Sequence, residues 1–210
     1  MNELITYKGR TVPWVTRWSG EYVSRPVTLM AQTTRDTRTG DVATELRLVF
    51  EDDPYAVRDD HDFLWSVDAT ARAGEPEWRQ VNSMRQQASM VRLRCQVCAA
   101  RLPAEMTPWL LGRGEFDHLI ANPESTTLTP PTCQSCWNIA ARLCPWLRKT
   151  GSVRCIVDRR EIWGVHGDVY QPDGTAMEDC RVSYGHRRAT RLLTLAKQQA
   201  VCLHGLRELL

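Results

Sequence analysis

At 210 residues, with 27 basic and 25 acidic side chains, the chain has material for one or two domains with a real core. Its formal net charge of +2 excludes a strongly basic tail, so any nucleic-acid surface must be a local patch. The longest strongly apolar run, Trp109-Leu110-Leu111, is far too short to cross a bilayer, which excludes a spanning helix.

Met1 to Arg10 lacks an apolar signal segment, so the expectation is a cytoplasmic chain whose eight cysteines stay reduced. Eight tryptophans against three phenylalanines supply large amphipathic rings that suit both cores and binding clefts.

Short strands open the chain, at Leu4-Ile5-Thr6-Tyr7, Val12 to Trp18 and Val27 to Gln32, punctuated by Gly9, Pro13, Gly20 and Pro26. The polar run Asp36-Thr37-Arg38-Thr39-Gly40-Asp41 reads as a turn. After it Val42, Thr44, Leu46, Leu48 and Phe50 alternate with Ala43, Glu45, Arg47 and Val49. This period of two predicts a half-buried strand, the second arm of a hairpin with Val27–Gln32.

An acidic stretch follows, Glu51-Asp52-Asp53 and Asp59-Asp60-His61-Asp62, ending in Phe63-Leu64-Trp65. Carboxylates beside a histidine can hold a cation or move protons, which makes Asp60, His61 and Asp62 candidate catalytic residues. The same residues also read as a solvated loop with Asx turns around Pro54. Asp68 to Glu77 is a polar connection and the best internal boundary. Arg79 to Leu93 reads as a helix, with Val81, Met84, Ala88 and Val91 on one face and Arg79, Gln86 and Arg92, edged by Arg85, on the other, a basic face that reads as solvated surface or as contact for an acidic partner.

The pairs Cys95-Gln96-Val97-Cys98 and Cys133-Gln134-Ser135-Cys136 order the rest. A two-residue gap lets a tight knuckle aim two sulfurs at one point, and two such pairs describe four thiolates around one structural zinc ion per chain. A fully cysteine-ligated zinc has no open position, so the metal would serve folding rather than catalysis. The alternatives are reduced core cysteines or two redox pairs, and the latter want a βαβ context that the pattern lacks. A hairpin or small insertion must fill the stretch between the pairs, where Thr107 to Leu119 contains a strand or a short helix opened by Pro108. Trp137 to Leu143 is helix-compatible until Pro145. Knuckle, hairpin, then a second knuckle opening a helix describe a treble-clef-like module. Cys144 reads as a buried thiol rather than a fifth ligand, while Cys155, Cys180 and Cys202 have no assigned role.

Val153 to Val157, Ile162 to Tyr170 and Cys180 to Tyr184 read as strands, with a turn at Pro172-Asp173-Gly174. From Arg187 to Leu210 the spacing of Leu192, Ala196, Ala200, Leu203, Leu206 and Leu210 predicts an amphipathic helix packed on a sheet, its other face carrying Arg187, Arg191, Thr194 and Gln198. The fold class is therefore α+β. A β-rich part over 1–75 precedes a zinc-knuckle part with strands and the C-terminal helix over 76–210, and the two are compatible with one compact unit.

Trp14 to Glu21, Asp60 to Trp65, Arg85-Gln86, Cys95 to Cys98, Pro130 to Cys136, Leu143-Cys144-Pro145 and Gly164 to Tyr170 together resemble a group of uncharacterised actinobacterial zinc-knuckle proteins. That resemblance implies the zinc site and an actinobacterial setting, and supplies no catalytic residues. The order of knuckle, Asp117-His118, knuckle and Trp137-Asn138 is similar in part to HNH nucleases, and implies that His118 would activate water while a divalent ion holds the phosphate. The chain departs from that pattern: no asparagine directly precedes the second knuckle, and no histidine follows it. Thr44 to Val57, with Asp53-Pro54-Tyr55-Ala56-Val57, resembles sporulation-linked cell-division regulators of actinomycetes over that short segment alone.

Three functions fit these residues. The leading one is a cytoplasmic, zinc-stabilised binding or regulatory protein that meets a protein or nucleic-acid partner through a basic C-terminal patch. The second is a small enzyme of specialised metabolism, acting on a small molecule in a tryptophan-lined pocket with the Asp60-His61-Asp62 group or His118 as acid or base. The third is a divergent nuclease. No membrane contact is expected in any of them.

Overall fold

The computed structural model describes residues 4–35 and 39–209, and within them the chain is mixed α+β with mostly antiparallel strand pairing. It forms two units of interleaved segments: 1–22, 68–163 and 199–210 make the first, and 23–67 with 164–198 the second. One crossing, Val67 to Asp68, falls at the start of the polar connection, and Asp68–Glu77 itself belongs to the first unit. The strands Arg159–Tyr170 and Thr194–His204 each begin in one unit and end in the other.

In the first unit a sheet orders Arg207–Glu208, Ser152–Val157 and Thr107–Gly112 side by side and antiparallel. All six residues of Thr107–Gly112 are buried, because the Ser83–Arg92 helix with its capping Leu93 and the Arg113–Ala121 helix contribute Met90, Leu93, Phe116 and Leu119 to the core that holds Trp109 and Leu111. Strand and helix thus both occur between the knuckles. The expected helix from Arg79 begins later, since Pro76–Val81 pairs as a strand with Thr16–Trp18 and Asn82 then caps the helix by accepting the Arg85 N–H at 3.1 Å. The face read as basic is split: Arg79 and Arg92 are exposed, whereas Arg85 and Gln86 are buried, and Gln86 bonds the backbone of Leu128 and Gln199.

In the second unit Val27–Arg35 and Val42–Phe50 form the expected hairpin, in register from Val27 opposite Phe50 to Arg35 opposite Val42. Of the expected turn, Asp36, Thr37 and Arg38 lie outside the described residues. Burial rises along the second arm from exposed Val42 to buried Leu48, Val49 and Phe50, rather than alternating. Leu48, Phe50 and Leu64 form one cluster, and Phe63, Val165, Val182 and Ala196 another.

The C-terminal helix is not formed. A short helix, Arg188–Leu192, gives way to the long strand Thr194–His204, and Arg207–Glu208 is again strand. Gln199 to Leu203 are all buried, so this half of the strand is covered on both faces. A fully buried strand is a continuous run of apolar and small residues, and periodicity alone does not separate such a run from a helix. Leu210 lies outside the described residues.

Candidate metal centre

Cys95 opens a turn closed by two backbone bonds at 2.8 Å, Cys95 N–H to Ala100 O and Ala99 N–H to Cys95 O, with Ala99 in the left-handed region at φ 58°. The second knuckle puts Cys133 just before the Gln134–Leu143 helix and Cys136 in its first turn, with the Cys136 N–H on Cys133 O at 2.9 Å. Gln96 ties one knuckle to the other. Its amide donates to Pro130 O at 2.9 Å and to the Thr132 hydroxyl at 2.8 Å, while its backbone N–H reaches Pro131 O at 2.9 Å. The spacing of the cysteines gave no hint of this role for Gln96.

The result is a group of four thiols, Cys95, Cys98, Cys133 and Cys136, whose sulfurs all lie within 4.8 Å of one another. Four sulfurs held about 2.3 Å from a tetrahedral zinc stand about 3.8 Å apart. The Cys98 and Cys133 sulfurs are separated by 3.7 Å. Backbone N–H groups of Val97 and Cys133 point at the Cys95 sulfur, both at 3.4 Å, and the Ser135 hydroxyl lies 3.2 Å from the Cys133 sulfur. Burial pushes the Cys95 thiol up to about 12 and raises Cys136 as well, the latter also through the charges of its neighbours. Cys133 moves down despite burial, because Ser135 and the other thiols bond its sulfur. Buried sulfurs packed this closely resist becoming anions together unless a cation shares the site, and a bound divalent metal deprotonates its thiols outright. The donor set, spacing and burial fit a structural metal ion.

Cys144 is half-buried and outside the four-sulfur group, so it is less enclosed than expected but is not a ligand of this centre. Cys155 is fully buried on the first unit's central strand, Ser152–Val157, its thiol pushed up to about 12 by burial and by Glu115 and Glu208.

The other candidates lie elsewhere. His118 is exposed on the Arg113–Ala121 helix, where its contacts are with Asn122, and Asp117 faces Arg113 at 3.7 Å. In the second unit the His61 ring stacks on Tyr184 with centroids 3.7 Å apart. Asp62 pairs with Arg188 at 3.0 Å and Arg191 at 3.8 Å, and Asp60 is exposed with no side-chain partner among the described residues. Asp59 organises the loop, accepting from the N–H groups of His61 and Phe63 and from the Trp65 indole at 2.8 Å. Among the described residues, the four cysteines are the one group of histidine, cysteine and carboxylate side chains close enough to share a metal ion. No described helix is long and apolar enough to cross a membrane.

No protein-family model, no curated protein and no solved structure matches this chain.

Proposed function

We propose that the chain is a zinc-stabilised nucleic-acid-binding protein, its four thiolates holding a treble-clef-like module together and its contact surface lying on the helices that follow the second knuckle. One observation carries this reading. From Ser125 to Val157 there is no carboxylate side chain, while Arg142, Arg148, Lys149 and Arg154 are present. Arg142, Arg148 and Lys149 are exposed and make no ion pair or side-chain hydrogen bond among the described residues, and Trp146 between them is 65% exposed. Cationic side chains around an exposed ring are what a single strand engages, phosphates meeting charge and a base stacking on the ring. The C-terminal patch expected from the sequence is less free: Arg188 is paired with Glu45 and Asp62, and Arg191 with Asp62.

Fluorescence anisotropy with a labelled oligothymidine tests the reading. Binding should weaken steeply with salt, and Arg148→Ala/Lys149→Ala should flatten that dependence by about 1.4 in log–log slope, roughly 0.7 per charge on a single strand. Trp146→Ala should weaken binding by about tenfold, in line with about 1–3 kcal/mol per stacked base. Absence of binding at low salt, or binding indifferent to these variants, would overturn it.

A further inference from the structure

The second unit holds a cleft of about 190 Å³, lined by Arg47, Arg58, Asp53, Asp62, Pro54 and Tyr55 among others. Its carboxylates are already committed. Asp62 is held by Arg188 and Arg191, and Asp53 lies 3.8 Å from Arg25. Its guanidiniums are not paired with carboxylates. Arg58 bonds only backbone carbonyls, Asp62 O at 2.6 Å and Leu48 O, and Arg47 makes no hydrogen bond or ion pair among the described residues. Neither has a carboxylate within salt-bridge reach among the described residues. Arg58 is half-buried, and burial first, then the like charge of Arg47, pulls it down to about 10 against the smaller pull of Asp62 and Asp59. Two neighbouring cations with no directly paired carboxylate, in a concave site, favour an anion that brings several oxygens at once. Tyr55 is 81% exposed, and its ring and Pro54 give the rim an apolar edge.

We propose that this cleft binds a small phosphate ester, its phosphoryl oxygens shared between Arg47 and Arg58 and its organic part lying against Tyr55 and Pro54. The volume sets the size, because pockets for drug-sized ligands begin at about 300 Å³. A carboxylate presents one pair of oxygens and satisfies one guanidinium fork, whereas a phosphate dianion serves two.

The test uses the full chain, with inorganic phosphate and phenyl phosphate as probes in calorimetry and in backbone amide NMR. Both should bind saturably, phenyl phosphate the tighter, with shifts at the Tyr55 and Ala56 amides. Acetate at equal ionic strength should not bind. Arg47→Ala removes a side chain with no partner, so the fold should persist while phosphate affinity falls tenfold or more, and Arg47→Lys should recover part of it. Tyr55→Ala should erase the preference for phenyl phosphate over inorganic phosphate. No saturable binding, equal binding of acetate, or affinity unchanged in Arg47→Ala would each overturn the proposal.

Discussion

The Glu21 carboxylate and the Arg85 guanidinium meet in a two-pronged pair inside the first unit, at 2.7 Å and 2.5 Å, with Glu21 fully buried and Arg85 6% exposed. Glu21 also accepts the Trp18 N–H at 2.9 Å and the Asn82 amide at 3.3 Å, while Arg85 donates to Thr16 O at 2.8 Å. The pair therefore fastens the Ser19–Glu21 turn and the Thr16–Trp18 strand to the first turn of the Ser83–Arg92 helix. Burial alone would raise the Glu21 carboxyl, but the bonds from Arg85 and Trp18 hold it below its ordinary value.

Removing one partner of such a pair strands a charge in the interior, so Glu21→Met should cost about 3–5 kcal/mol, read from urea midpoints at neutral pH. The pH dependence has a fixed sign. A carboxyl lowered in the folded state contributes its stability above the unfolded value, near 4.3, and loses it as pH falls through the folded value. Wild type should lose stability more steeply than Glu21→Met as pH drops below about 5. Equal acid sensitivity in the two proteins would show that Glu21 is not the carboxylate responsible.

The local elements were legible where one strong signal dominated. The two knuckles, the hairpin of Val27–Arg35 with Val42–Phe50, and the stop at Leu143 before Pro145 all follow from spacing, alternation and proline chemistry. Pro145 does more than stop a helix, because it starts the next one, Pro145–Thr150, at a position where its missing N–H costs nothing. The C-terminal strand was not legible because Ala196, Ala200 and Leu203 keep a helical spacing, while the unbroken burial from Gln199 to Leu203 comes from coverage on two faces that the spacing does not reveal. Arg85 and Gln86 read as solvated surface because polarity is a poor guide once a buried partner distant in sequence exists. Glu21 lies 64 positions away from Arg85, and Gln199 113 from Gln86.

Leu203 distinguishes strand from helix energetically. It is 5% exposed and belongs to the core with Trp109, Val153 and Val201. Leu203→Ala should cost about 2–5 kcal/mol. Leu203→Val, which suits a strand, should be much milder than the truncation, and circular dichroism should show no loss of helix in either. A melting temperature unchanged in Leu203→Ala would remove this strand from the core.

Gly167 makes a steric prediction in the second unit. A Cβ at this position would lie 2.0 Å from Leu195 O and 2.9 Å from its carbonyl carbon, so backbone would have to move against backbone. The strand is irregular between Gly167 and Val169, where its pairing with Ala176–Ser183 shifts register. Such a glycine marks close approach rather than a turn. Gly167→Ala should therefore destabilise, the backbone clash outweighing the gain of about 0.5–1 kcal/mol that alanine otherwise brings to a strand position, whereas Gly174→Ala, with nothing near its Cβ, carries only the strain of φ 86°. Equal melting temperatures in wild type and Gly167→Ala would refute the close approach.

The metal centre gives the widest consequence, because Gln96, Thr132 and the start of the Gln134–Leu143 helix are all held in place by the knuckles that the cysteines close. Without an ion, three buried thiols and the half-buried Cys133 crowd one another, with N–H groups on the Cys95 sulfur and the Ser135 hydroxyl beside that of Cys133. With one, binding free energy becomes folding free energy, on the order of 10 kcal/mol for a structural zinc site. Purified protein should carry one zinc per chain by elemental analysis. The cobalt form should show intense thiolate-to-metal bands in the near ultraviolet, and a strong chelator should unfold the first unit. Cys98→Ser should lose the metal and most of the stability. Cys144→Ser, whose sulfur is outside the group, should retain both, and that contrast separates loss of a ligand from loss of any cysteine. A wild-type protein that folds identically with and without chelator, and holds no metal, would leave the four sulfurs as a cluster of reduced core thiols.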